Sequence, residues 1–157
     1  MKIILRYLIS VIVGILISIT VFLSIAYVIV TFQISPYSDF LRINIEIVKG
    51  NTTAHNWHIF LTLARKVLVV SIIIFFPIVG FVTGVGVALV ARKKTIILAL
   101  VSVLPFAFLF SYVSSVSDVP IYEVAIIASS LIFAFLGTIP VKYLKSRQAN
   151  KFANKQG

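Results

Sequence analysis

Three observations predict an all-α integral membrane protein with four transmembrane helices and both termini cytoplasmic. Of 157 residues, 61% are hydrophobic and only 11% are charged, against about 45–50% and about 25% in ordinary globular domains. The sequence also holds four apolar stretches, each near the roughly 20 residues that cross a bilayer as a helix. Finally, the remaining charges sort onto two sides. Lys2 and Arg6, then Arg92, Lys93 and Lys94, then Lys142, Lys145, Arg147, Lys151 and Lys155 flank the stretches on one side. Arg42, Lys49, Arg65, Lys66 and all four acids, Asp39, Glu46, Asp118 and Glu123, fall on the other. Excess Lys and Arg marks the cytoplasmic loops, so the expected site is a plasma membrane, a bacterial or archaeal inner membrane above all, in a multi-pass arrangement.

Residues 1–157 then form one tetraspan domain, with spans at 7–31, 67–91, 96–116 and 121–141. The first run exceeds the about 7–15 apolar residues of a signal peptide core and is read as an uncleaved helix. Small residues spaced by four put a close-packing stripe on a membrane helix. Ser10, Gly14 and Ser18 offer one in the first span, and Gly80, Gly84 and Ala88 another in the second. Matching depths predict an antiparallel pairing of Ser10 with Ala88, Gly14 with Gly84 and Ser18 with Gly80. Pro77 and Pro105 each remove a backbone donor inside a span and should bend it unless a neighbour repairs the gap.

The outer loop, 32–66, is expected to hold a short strand or hairpin and an interfacial helix. In "FLRINIEIV" Ile43, Ile45 and Ile47 alternate with Arg42, Asn44 and Glu46, the period of a half-buried strand. "KGN" follows as a turn signal, with 52–59 as a possible returning strand. Trp57, Phe60, Leu61, Ala64 and Leu68 then recur at helical spacing, with His55, His58, Thr62 and Arg65 on the other face. Arg65 and Lys66 form the outer boundary of the second span. Arg42, Asn44, Glu46, His55, Trp57, His58 and Arg65 are the candidate outer-side interaction residues. "NTT" at 51–53 matches an N-glycosylation sequon.

Several function classes find no support. With no cysteine there is no thiolate chemistry or disulfide framework. The two histidines lack an evident third ligand, so no metal and no cofactor is expected. No ionisable residue lies deep in a span, where proton relays and charged-substrate sites are normally marked; the embedded glutamate of small multidrug transporters has no counterpart. Zinc-protease, nucleophile-elbow and phosphate-loop motifs are absent. "FLRINIE" carries the letters of the Arg/Asn/Glu motif of glutathione-using membrane enzymes at a different spacing. No enzyme activity is expected.

The tail, 142–157, carries cations and no acid. Lys142, Lys145, Arg147 and Lys151 are expected to touch anionic lipid or a partner, and nucleic acid is not expected. In topology the chain resembles the four-helix immunity proteins against pore-forming colicins: both termini inside, a substantial first outer loop and a basic tail. It is similar in the same way to small membrane subunits of phage-defence or exclusion systems. The resemblance implies a non-enzymatic interaction or sensor subunit whose partners are membrane lipids, another membrane protein, or a second copy in a homo-oligomer. The alternative is an oligomeric passive channel or small-solute transporter.

Overall fold

The computed structural model describes residues 2–50, 53–91, 93–114 and 120–153, which are helical with no strand among them. The elements are α1 (Lys2–Thr31), α2 (Tyr37–Val48), α3 (Ala54–Val70), a π-helical turn (Ser71–Phe75), α4 (Phe76–Val90), α5 (Thr95–Ser114) and α6 (Pro120–Ala153). Three helical stretches, Ile4–Thr31, Ala54–Val90 and Ile121–Gln148, are long and apolar enough to cross a membrane, and α5 contributes a shorter apolar stretch, Thr95–Phe110. The chain is a helical, membrane-embedded protein.

α3, the π-helical turn and α4 form one rod of 37 residues, about 55 Å at 1.5 Å per residue. A hydrocarbon core is only about 30 Å thick, so the rod is longer than any crossing requires. Its first turns pack on α2, and the two make a helical hairpin beyond the C-terminal end of α1.

That hairpin replaces the expected strand. Residues 40–48 are helical, and 54–59 open α3 rather than return as a strand. The isoleucine alternation competes with a second period in the same nine residues. Phe40, Ile43, Asn44, Glu46 and Ile47 are the half-buried ones, and the spacing of three and four that links Phe40, Ile43, Asn44 and Ile47 is one helix face. Phe40 stacks on Phe60 of α3 at 5.0 Å, and Phe60 stacks on Trp57 at 5.3 Å. A lone strand leaves its backbone edges unpaired, whereas a helix satisfies its own. Thr53 caps α3, its hydroxyl accepting from the Asn56 N–H at 3.1 Å, as favoured at that position. The sequon asparagine and its neighbour, 51–52, lie outside the described residues.

Inside the bundle α4 packs on α6, α1 and α5. Apolar burial drives little association in lipid; close van der Waals fit and interhelical hydrogen bonds do more. The closest fit is between α4 and α6. A Cβ at Gly84 would fall on the Ala134 carbonyl, one at Gly80 on the Ser130 carbonyl, and one at Gly137 on the Phe81 carbonyl. This corrects the expected pairing, because Gly80 and Gly84 face α6 and not α1. Gly14 instead meets Ser102 of α5 and Val87 of α4, and Gly86 admits Ile17. Only Ser18 bonds across to α4, to the Thr83 hydroxyl at 2.8 Å with both side chains fully buried. Ser10 is buried and turns its hydroxyl back to the Arg6 carbonyl, while Ala88 is buried at the end of α4. The stripe on α6 that takes the glycines, Ser130, Ala134 and Gly137, is as small as the one on α1.

Nearer the outer end, Phe22, Phe75, Phe76, Phe106 and Phe110 join α1, the rod and α5, with ring centroids 4.8–6.0 Å apart for Phe22–Phe110 and Phe76–Phe106 among others. Beside them lies the repair that Pro77 requires. In the π-helical turn the Phe76 N–H reaches back to the Ser71 carbonyl, five residues away. The Ile72 carbonyl would next await residue 77, which as proline has no N–H. Ser129 of α6 donates its hydroxyl to that carbonyl at 3.1 Å.

Candidate functional site

The α2–α3 hairpin gathers most of the candidate interaction residues. α1 ends in a helix-stop geometry that aims it: Ile34 N–H bonds to the Ile29 carbonyl and Gln33 N–H to that of Val30, with Gln33 at φ 49°. This is a Schellman motif with glutamine in the left-handed position usually held by glycine. The chain then turns into α2, where Tyr37 reaches the rod. Its hydroxyl lies 2.8 Å from that of Ser71, and its ring sits 6.2 Å from Phe75. Burial pushes the Tyr37 hydroxyl above its ordinary 10.0, and the Ser71 bond pulls weakly the other way. The phenol is therefore protonated throughout the neutral range, and its stabilising contribution is lost only as pH climbs above about 10.

α2 and α3 contain no fully buried residue. On α2, Arg42 is exposed and Asn44 and Glu46 are half-buried, with the Glu46 carboxylate 4.0 Å from the Lys49 ammonium. On α3, His55, Trp57, His58 and Arg65 are all exposed. The face of α3 that shelters against its neighbours runs through Asn56, Ile59, Phe60, Leu63, Ala64 and Val67. It is rotated from the one expected from sequence and leaves Trp57 (48% exposed) and Leu61 (45%) outside. Leu41, Ile45 and Val48 are exposed on α2. The hairpin thus carries apolar side chains, two histidines and two arginines on surfaces its own fold leaves open. Among the described residues no three His, Cys, Asp or Glu side chains converge as a metal site would require.

At the opposite, basic end, Lys142 and Arg147 are exposed, and the Arg147 guanidinium stacks 4.9 Å over the Tyr143 ring. Lys145 has a different role from the one expected. Its ammonium donates to the carbonyls of Ala88 at 2.6 Å, Leu89 at 3.2 Å and Ala91 at 3.1 Å. These belong to the last turn of α4 and its C-cap, whose carbonyls have no partner within the helix and form the negative end of its dipole. Lys145 is a helix cap supplied by α6, and three acceptors saturate its three donors. The Lys151 side chain lies outside the described ones.

The interior is chemically quiet. Ser102 and Ser130 each donate to a carbonyl one turn back in their own helix, and Thr138 does so three residues back; of the Ser18–Thr83 pair, one hydroxyl donates to such a carbonyl and the other to its partner's oxygen. Among the described residues no buried side-chain nitrogen or oxygen lacks a hydrogen-bond partner. No family model, no curated protein and no solved structure matches the chain.

Proposed function

We propose that the protein is a non-enzymatic tetraspan subunit of the plasma membrane, both termini cytoplasmic, that binds another membrane protein or a second copy of itself through the outer hairpin. The observation that carries this reading is the continuity of the hairpin with a membrane-crossing rod: α3 bears the open apolar surface and runs without a break through the π-helical turn into α4. A partner that presses on Trp57 or Leu61 therefore acts on a lever whose far end is the basic face. Support for an interaction role also comes from the interior, where among the described residues every buried side-chain hydroxyl has a hydrogen-bond partner and none is left waiting for a solute.

A photo-reactive amino acid at Trp57 or Leu61 in intact membranes, followed by mass spectrometry, tests the proposal. It should capture a protein at the outer positions and far less at Ile19, an exposed position on the apolar run of α1. Equal capture at all three sinks it. Sustained solute-selective flux into liposomes holding the purified chain would favour the oligomeric channel instead.

A further inference from the structure

At the basic end, between the start of α1 and the turn that joins α4 to α5, lies an open cleft of about 550 Å³. Arg6 and Lys93 line it from two sides, Ser10 and Tyr7 lie within it, and Ile9 and Val90 form its apolar wall. We propose that this cleft is a binding site for an anionic phospholipid, its phosphate between Arg6 and Lys93 and its acyl chains along Ile9 and Val90.

Among the described residues no acidic side chain answers the charge of the cleft. Asp39 and Glu46 lie on α2 and Glu123 in the first turn of α6, and none of the three lines the cleft. Two cations held near one cavity without a counter-charge raise each other's energy, and an anion from outside relieves it. Phosphate suits the pair, because a guanidinium grips it with a planar fork and an ammonium adds a point charge.

The surroundings remove competing features. The α4 carbonyls, which would repel an anion at this rim, are covered by the Lys145 ammonium. Lys94, next to Lys93, holds the left-handed conformation (φ 53°) and sets its ammonium 5.8 Å from the centre of the Tyr7 ring. That conformation costs a non-glycine residue about 1 kcal/mol, and such strain is retained where a site needs it. Depth selects a lipid over a soluble anion. Arg6 is the last charge before the apolar run of α1, Lys93 follows α4 by a few residues, and Ile9 and Val90 are 44% and 45% exposed toward the apolar layer. A phosphate at that level belongs to a molecule whose tails continue into the membrane.

The test uses the delipidated full chain and native mass spectrometry with phosphatidylglycerol or phosphatidylcholine, with inorganic phosphate as competitor. One phosphatidylglycerol should remain bound per chain, about thirtyfold tighter than phosphatidylcholine, as expected for two cations at a membrane surface. Arg6→Gln with Lys93→Gln should erase that preference, whereas Arg6→Lys with Lys93→Arg keeps it. Lys142→Gln with Arg147→Gln, neither of which lines the cleft, should leave it intact. Equal retention of the two lipids by the unaltered chain overturns the proposal and needs no variant to fold. Loss of the preference in the Lys142/Arg147 variant shows a diffuse surface charge and also overturns it. Displacement of the lipid by millimolar inorganic phosphate would assign the cleft to the free anion and not to a lipid.

Discussion

The α4–α6 crossing and the α2–α3 hairpin both hold two helices together, and they do it by opposite means. At the crossing three glycines bring one backbone onto another, and eight residues of α4 are buried. In the hairpin no residue is buried, and contact rests on the Phe40–Phe60–Trp57 stack with the Tyr37–Ser71 bond at its base. The first is a fit that admits no substitute of larger size. The second is a set of ring contacts that can separate and re-form, because local opening is cheapest where few side chains are buried. The molecule thus pairs a fixed frame with a loosely held arm.

The sharpest way to break the frame is Gly84→Leu. The side chain has no space before the Ala134 backbone, and the loss should exceed about 3 kcal/mol, read as failure to accumulate in membranes or a collapsed unfolding temperature in detergent. Phe60→Ala should act on the arm alone. Losing both stacks, each about 0.5–1.5 kcal/mol beyond burial, should raise hydrogen exchange across 37–66 several-fold while the bundle keeps its unfolding temperature. Should exchange in α4 rise equally, the two regions are one unit and the contrast fails. Ser18→Ala removes the bond to Thr83 inside the frame and should cost about 0.6–1.7 kcal/mol, the measured scale for interhelical hydrogen bonds in membranes, seen as a modest fall in thermal stability. The smallest change is a gain. Gln33→Gly relieves the left-handed position at the foot of the arm and should stabilise by about 0.5–1 kcal/mol, measured by slower exchange at 29–36.

How much of this was legible follows from which interactions are local. Membrane helices were visible because an apolar run carries its own signature. The character of residues 40–48 was not, since nine residues with β-branched isoleucines satisfy two periods at once and only the Phe60 ring, far along the chain, selects the helix. The glycine face at 80 and 84 was plain in the sequence, but its partner was not, because Ser10–Gly14–Ser18 and Ser130–Ala134–Gly137 offer similar stripes. Lys145 looked like any tail cation. Its three acceptors lie more than fifty residues earlier, and nothing near it in sequence announces them.

The hydroxyl of Ser129 on the Ile72 carbonyl bears on how the chain is made. The rod is synthesised well before α6, and the gap opened by Pro77 would then face lipid with no donor on that carbonyl. Water cannot serve there, and an unpaired backbone group in hydrocarbon costs several kcal/mol. When α6 arrives it supplies the missing hydrogen near the start of α4 and, through Lys145, three more at its far end. Completion of the rod is thereby made conditional on the arrival of α6. A chain interrupted between α5 and α6 carries its defect in its own backbone, in the form that membrane quality control is equipped to find.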